Sequence, residues 1–232
     1  MIIWEVFWKV FALNGGYKVV VKGLTNTLII ALAGLVIGVF IGSVIAAVKT
    51  VPNKNTFLKI WQKINDIYVV VFRGTPIVAQ LLVGYYVLLP SLNIRLSSLV
   101  VAIIFFGLNS GAYVSEIMRG GINSIDVGQA EAAKSLGLTY AQSMSRIILP
   151  QAIKNIIPML GNEFIALIKE TSVAGFITVI DLTLAFRTLA SGTYEYVAPY
   201  LILSAVYLIL VLLFTYLVKL IERRLRRNDK HA

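Results

Sequence analysis

Long apolar runs alternate with shorter polar segments along most of this chain. Five of these runs have about the 20 residues that a membrane-spanning helix needs. They cover residues 24–48, 67–90, 97–119, 152–175 and 197–219. A segment of mixed polarity, 176–196, separates the last two runs, and we expect it outside the membrane. The pattern therefore predicts an all-α membrane protein with about five transmembrane helices.

The start of the chain differs from these runs because residues 1–18 mix aromatic and charged side chains. The segment has neither the basic start nor the small-residue cleavage site of a signal peptide. Its composition favours a helix that lies in the membrane interface. We therefore predict an interfacial N-terminal helix over 1–18, a transmembrane domain over 19–222 and a basic cytoplasmic tail over 223–232.

Four small residues recur at every fourth position within the first run. They are Gly34, Gly38, Gly42 and Ala46. Small side chains at this spacing form one stripe along a helix and let a second helix approach closely. The stripe predicts a packing face, with no chemical role.

The charge distribution predicts the orientation of the protein in the membrane. The net charge is +10, and the basic residues cluster in the polar segments between apolar runs. These clusters contain Lys49, Lys54, Lys59, Lys63, Arg119, Lys134, Arg146 and Lys154, and the sequence ERRLRRNDK at 222–230. Cytoplasmic loops are enriched in Lys and Arg, so we expect the C-terminus in the cytoplasm and the N-terminus outside.

Composition excludes several classes of protein. Hydrophobic residues make up 58% and charged residues 14%, whereas soluble domains average about 45–50% and about 25%. No basic patch is interleaved with exposed aromatic residues, so nucleic-acid binding is not expected. The chain has no cysteine, and its only histidine is His231 near the end. We therefore expect no metal site, no cofactor and no enzymatic activity.

One polar segment, 126–150, has the pattern of a folded cytoplasmic loop. Residues 129–136 are rich in helix formers, and Gly137 suits a helix stop because glycine tolerates positive φ. Residues 139–148 predict a second short helix, which Pro150 should stop or redirect. The result is a helix–turn–helix knob on which Glu131, Ala132 and Ala133 offer a docking surface.

The sequence of this segment, EAAKSLGLTYAQSMSRIILP at 131–150, resembles the EAA loop of ABC importer permeases. Three further segments are similar to permeases for polar amino acids, the group that includes arginine, histidine and glutamine importers. They are FRGTP at 72–76, NSGAYVSEIMRGGI at 109–122 and GNEFIALIKETS at 161–172. The resemblance covers about residues 20 to 227. Asp126-Val127 departs from it, because a Pro or Lys is expected there.

The resemblance implies a type I permease fold in a prokaryotic cell membrane and a set of partners. Two cytoplasmic ABC ATPase subunits would dock on Glu131, Ala132, Ala133 and Gly137. A second permease chain, identical or homologous, would complete the pathway, and an extracytoplasmic binding protein would deliver the amino acid. The chain has no GxxxxGK[ST] phosphate loop, so the ATPase must be another polypeptide.

Polar residues in the fourth run are candidates for a substrate site. An ionisable residue there costs about 2.5–3.5 kcal/mol on insertion scales and usually marks a pathway or a partner. Asn162 and Glu163 fall near the middle of the run, just after Pro158 and Gly161, which we expect to open the backbone. Glu163 would bind a cationic group of the substrate. The alternative is an internal ion pair with a basic residue such as Arg73.

The second run carries a further candidate at Arg73-Gly74-Thr75-Pro76, where glycine and proline should interrupt the helix. Free backbone amides or Arg73 would hold a substrate carboxylate, with Thr75 beside them. A kink in which Arg73 has no ligand is the alternative.

In the third run, Asn109, Tyr113 and Glu116 share one helix face. We expect Asn109 and Tyr113 to line the pathway. Glu116 has a structural role in this interpretation, because it lies three residues before Arg119 and can pair with it.

The sequence leaves alternatives open. The carboxylate of Glu163 favours a basic substrate, arginine above all, but a glutamine importer would use the same group for the α-ammonium. A permease for methionine or an oxyanion is a second possibility. A channel or carrier that needs no ATP is a third, although it would leave the EAA segment unexplained.

Overall fold

The computed structural model describes residues 2–13, 15–51 and 55–227. Within these ranges all regular structure is helical, which confirms the predicted class. The helices are α1 (Ile2–Trp8, continued by a π-helical turn over Lys9–Leu13), α2 (Gly16–Thr50), α3 (Thr56–Gly74), α4 (Ile77–Ser91), α5 (Ser98–Asn123), α6 (Val127–Ser135), α7 (Tyr140–Ile177), α8 (Leu182–Thr193) and α9 (Val197–Arg227). Lys54 and His231 lie outside the described residues.

Three helices in the described part of the chain are long and apolar enough to cross a membrane. They are α2, α5 and the stretch Val197–Leu225 of α9. Two bent pairs raise the number to as many as five: α3 with α4, at 104°, and α7 with α8, at 53°. Five predicted spans agree with this upper count. The second one is strongly bent, at the predicted Gly74–Pro76 interruption.

The small-residue stripe of α2 packs on α5. Three glycines of the stripe each face one residue of α5: Gly34 faces Phe106, Gly38 faces Ser110 and Gly42 faces Val114. Two glycines of α5 in turn face α2, Gly107 at Ile37 and Gly111 at Ile41. The predicted packing face is confirmed, and it fixes the position of α5 along α2.

A valine at Gly38 should destabilise the protein, because its Cβ would lie 2.6 Å from Ser110 Oγ. Overpacking of this kind typically costs about 1–3 kcal/mol. We expect a lower thermal unfolding midpoint in detergent for Gly38→Val. Gly192→Val is the matched control, since nothing lies within 4 Å of a Cβ at Gly192. Equal midpoints for the two variants would contradict the close α2–α5 contact.

The segment 176–196, which we placed between spans, is mostly α8, a helix packed within the bundle. Its buried residues Leu182, Phe186 and Leu189 join Phe7 of α1 and Ala198 of α9 in one core cluster. Helix α1 is therefore attached to the bundle through Phe7, while Trp8 is exposed. Two points stay predictions. One is that α1 lies in the membrane interface, and the other is the side of the membrane on which α8 begins.

Hydrogen bonds tie the start of α8 to α2. The carboxylate of Asp181 caps α8 by accepting from the backbone amides of Thr183 and Leu184, at 2.9 and 3.0 Å. Thr27 Oγ1 accepts from the amide of Leu182, and Asn26 Nδ2 donates to the carbonyl of Ile180. Asp181 is completely buried, so these contacts satisfy a polar group that would otherwise destabilise the bundle.

Candidate functional site

The predicted helix–turn–helix knob is present after α5. It consists of α6 and the start of α7. Helix α6 ends in a Schellman motif: Gly137 has φ 77°, the Leu138 amide donates to Ala133 O and the Gly137 amide to Lys134 O. Thr139 then begins α7 with a capping box to Gln142. The helix stop at Gly137 and the start of a second helix form as predicted, and the capping box is an additional local signal.

The knob exposes only part of its predicted docking surface. Glu131, Ala132 and Gly137 are exposed, whereas Ala133 is buried within the segment. Leu136, at the end of α6, is 79% exposed and adds an apolar side chain to the same surface. An exposed apolar side chain of this kind is suited to a protein contact. The expected role of Ala133 in direct docking is difficult to reconcile with its burial.

Pro150 does not stop or redirect the second helix of the knob, which corrects the prediction. The helix continues from Tyr140 to Ile177. A π-helical turn over Met144–Ile148 precedes the proline, and there the Leu149 amide bonds to Met144 O, five residues back. The altered bonding places Pro150 in the first turn of the next α-helical stretch, where its missing N–H does little harm. The knob and the predicted fourth span therefore share one helix.

Two contacts fasten this shared helix to neighbouring helices at the end near the knob. Tyr140 Oη donates to Thr50 O at the end of α2, at 2.6 Å. Asn155 Nδ2 donates to Ser124 Oγ, just after α5, at 2.9 Å. The knob thus contacts the membrane helices through side chains as well as through the chain itself.

The expected opening of the backbone near Pro158 is absent. Pro158 lies inside the uninterrupted α-helix Leu149–Glu170. The proline removes one hydrogen bond, and the packing of the flanking turns retains the helix. Asn162 and Glu163 are therefore presented by a regular helix, not by a broken one.

Glu163 lies between α7 and α5. It is partly buried, and its Oε1 accepts a hydrogen bond of 2.9 Å from Ser110 Oγ, which is completely buried on α5. The alternative ion pair with Arg73 does not form: among the described residues no basic nitrogen lies within 4.0 Å of the Glu163 carboxylate. Asn162, the preceding residue, is exposed. The carboxylate is thus held in place by a hydroxyl and is not neutralised by a neighbouring cation.

Asn162 opens onto a polar cleft of about 430 Å³ between α7, α9 and the end of α5. The lining residues are Ser124, Lys154, Asn155, Pro158, Met159, Asn162 and Glu222. The cleft extends from Asn162 to Ser124, which follows the last residue of α5. The cleft therefore leads from Asn162, the sequence neighbour of Glu163, toward the end of the bundle that carries the knob.

Arg73 lies at the bend between α3 and α4, exposed, with its guanidinium 5.1 Å from the centre of the Tyr113 ring. This distance permits a cation–π interaction. Thr75, also exposed, donates through Oγ1 to Val71 O at 2.8 Å. The bend thereby brings together three residues that were predicted as site residues: Arg73, Thr75 and Tyr113.

The third run departs from prediction at Asn109, which is only 4% exposed. Its Nδ2 donates to Phe72 O at 3.0 Å and to Gln80 Oε1 at 3.2 Å. Because its amide is buried and used in the bend, Asn109 does not line an open pathway as we expected. It holds the backbone next to Arg73.

A charged cluster joins three helices at the end near the knob. Lys49 lies 2.8 Å from Asp66 and 3.7 Å from Glu116, and Glu116 lies 2.6 Å from Arg119. The predicted pairing of Glu116 with Arg119 is confirmed. The cluster links α2, α3 and α5 and gives Glu116 a structural role.

Two residues of the site were missed by the sequence interpretation. Ser110 binds Glu163, and Gln80 contacts both Asn109 and the bend. Gln80 has a sequence signal, since it is an amide within an apolar stretch four residues after Pro76. Ser110 has none, because serine is common in packed membrane helices.

Comparisons with known proteins identify the family to which the chain belongs. The family described as binding-protein-dependent transport system inner membrane component matches residues 38–227. The arginine transport system permease protein ArtQ of Bacillus subtilis is 41% identical over 211 residues, covering 90% of this chain and 94% of that protein. The putative glutamine transport system permease protein GlnP of Rickettsia typhi is 39% identical over 209 residues, with the same coverages of 90% and 94%.

Solved structures give the same result. One chain of an amino acid ABC transporter crystallised with histidines has a TM-score of 0.84 and 38% identity, over 92% of this chain and 97% of that one. A chain of the inward-facing MetNI methionine ABC transporter has a TM-score of 0.75 and 18% identity, which shows the fold alone. This chain therefore belongs to the binding-protein-dependent transport system inner membrane components, the ABC importer permeases, and is a multi-pass protein of the cell membrane.

Proposed function

We propose that the chain forms the translocation pathway of an ATP-driven importer for polar amino acids and that Glu163 binds a cationic group of the substrate. The observation that carries the proposal is the state of Glu163. It is a partly buried carboxylate on a membrane helix, fixed by Ser110 and without an ion pair among the described residues. An unpaired carboxylate in such a place is costly, and a cationic ligand relieves the cost.

Arg73 supplies the opposite charge. It is exposed, and Tyr113 supports its guanidinium. An amino acid carries both an ammonium and a carboxylate, and a guanidinium binds a carboxylate in a planar, two-bonded geometry. In this proposal Arg73, with Thr75 beside it, receives the α-carboxylate, and Glu163 with Asn162 receives the ammonium or a basic side chain.

Arginine is the substrate that this arrangement favours, because a guanidinium or ammonium on the side chain adds a second positive charge for Glu163. The similarity to the arginine permease ArtQ supports it. Glutamine is the second candidate, since permeases named for glutamine transport are nearly as similar. For glutamine, Glu163 would bind only the α-ammonium.

Partners follow from the family and from the knob. Two ATPase subunits would dock on the exposed surface around Glu131, Ala132 and Gly137, and ATP hydrolysis would take place on them. A second permease chain, identical or homologous, completes the pathway, and an extracytoplasmic binding protein delivers the substrate. In this arrangement the knob and the C-terminus are cytoplasmic and the N-terminus is outside.

The proposal is tested by purifying the tagged protein from its native membrane in mild detergent and identifying the proteins that accompany it. We expect a stoichiometric ATPase subunit, and uptake of labelled arginine or glutamine into proteoliposomes that requires ATP and the binding protein. Mass analysis of the complex also decides between an identical and a homologous second chain. Uptake that proceeds equally well without ATP would show a channel or carrier and overturn the proposal.

A further inference from the structure

Two side-chain amides hold the bend between α3 and α4. Gln80 Nε2 lies 2.9 Å from Phe72 O, 3.1 Å from Thr75 O and 2.9 Å from Thr75 Oγ1. Asn109 Nδ2 bonds to the same Phe72 carbonyl at 3.0 Å and to Gln80 Oε1 at 3.2 Å. We call Gln80 and Asn109, with their acceptors on Phe72 and Thr75, the amide clasp.

The clasp satisfies a carbonyl that the sequence leaves without a partner. In a continuous helix Phe72 O would accept from the amide of residue 76, but Pro76 has no N–H. A carbonyl that is left unpaired in a part-buried position is unfavourable, because it loses its hydrogen bond to water without gaining another. Both amides of the clasp donate to it, so the clasp stabilises the bend.

The bend residues themselves have little packing around them. Gly74 has open space around it, since a Cβ built there meets nothing within 4 Å. Residues 73 to 76 are all exposed. At the bend itself, the hydrogen bonds from Gln80 and Asn109 are therefore the contacts that hold residues 72–75, while the buried Leu81 anchors the rest of α4 in the core.

The same turn of α5 positions both charges of the proposed substrate site. Asn109 holds the carbonyl of Phe72, the neighbour of Arg73, and Tyr113, one turn later, lies under the Arg73 guanidinium. Ser110, between them in sequence, bonds to Glu163. Helix α5 therefore sets the position of Arg73 relative to Glu163, as long as the bend keeps its contacts with Asn109 and Tyr113.

We propose that Gln80 is a positioning residue for substrate recognition: through the amide clasp it keeps Arg73 over Tyr113 and so determines the preference for ligands with a free α-carboxylate. Gln80 does not touch the substrate in this scheme. The inference rests on the proposed role of Arg73 and names the residue through which the bend maintains that role.

The test is a double-mutant cycle with Gln80→Met, which keeps the length of the side chain and removes its hydrogen bonds, and Arg73→Met. The permease complex, purified with its ATPase and without the binding protein, is titrated with arginine and with its α-amide, which lacks the carboxylate. The measured quantity is the ratio of the two dissociation constants. Gln151→Met is the matched control, because Gln151 Nε2 also donates to a backbone carbonyl, that of Ile147, away from the bend.

We expect Arg73→Met to reduce the preference for arginine over its amide roughly tenfold, as loss of a charge-assisted bond does. Gln80→Met should reduce it several-fold, the double variant no further than Arg73→Met alone, and Gln151→Met not at all. Two results would overturn the inference and leave the proposed function intact. One is a Gln80→Met variant that prefers arginine over its amide as strongly as the wild type does, and the other is a double variant whose loss of preference equals the sum of the two single losses. A wild-type protein with no preference would contradict the role of Arg73 itself. If Gln80→Met does not fold, Gln80→Asn, whose amide is too short for Phe72, replaces it with the same expected loss.

Discussion

Glu163→Gln is expected to weaken arginine binding and transport at least 30-fold while leaving the protein folded. The substitution keeps the shape of the side chain and an oxygen for Ser110, but it removes the negative charge. Truncating one partner of a buried, hydrogen-bonded charge pair costs about 2–5 kcal/mol, and each 1.4 kcal/mol is about tenfold in affinity. The measurement is the half-saturating concentration for uptake of labelled arginine into proteoliposomes.

Glutamine is the informative second substrate in this experiment. If Glu163 binds a cationic side chain, glutamine uptake should fall far less than arginine uptake. Equal losses would mean that Glu163 binds the α-ammonium and that the preference for arginine is wrong. Glu170→Gln controls for the loss of a carboxylate, because Glu170 is also partly buried and lies two turns further along the same helix.

Gly137→Val should abolish ATP-driven uptake and the association with the ATPase, with the protein still inserted in the membrane. Gly137 ends α6 at φ 77°, a conformation that costs a β-branched residue about 1–3 kcal/mol. The strain is expected to break the Schellman motif and to displace the exposed residues of α6 from their docking position. The assay is the amount of ATPase recovered with the tagged permease, together with uptake.

Two further variants make the result specific to docking. Gly120→Val places the same side chain in a helix where a Cβ meets nothing within 4 Å, so ATPase recovery should stay normal. Glu131→Lys reverses the charge of an exposed residue without straining the backbone, and we expect it to reduce recovery as well. Full recovery of ATPase with both Gly137→Val and Glu131→Lys would mean that the knob is not the docking surface.

The parts of the fold that sequence predicted correctly are those with local causes. Gly137 stops α6 because of its own φ, and the helix predicted from residue 139 begins at Tyr140, with Thr139 as its cap. The stripe of glycines in α2 predicted a close neighbour, although it did not say that the neighbour is α5. Each signal lies within a few residues of its effect.

The prolines show where local reasoning was insufficient. Pro76, Pro150 and Pro158 all remove a backbone donor, yet only Pro76 coincides with a sharp bend. Pro76 follows Gly74, and Gln80 and Asn109 satisfy the carbonyl that it leaves free. Pro150 is accommodated by a preceding π turn, which no residue pattern announced. Whether a proline bends its helix therefore depends on hydrogen-bond partners that are distant in sequence. The burial of Asn109 was missed for the same reason, because its partners Phe72 and Gln80 lie far from it along the chain.

The single helix that contains both the knob and Glu163 has a mechanical consequence. Tyr140 and Glu163 lie on it about 35 Å apart, at about 1.5 Å per residue. If ATPase subunits dock on the knob as proposed, a tilt of this helix by about 5° about its knob end would move Glu163 by roughly 3 Å, which is about the length of a hydrogen bond. In that arrangement, docking at the knob would strain the Ser110–Glu163 contact directly through the helix that carries both.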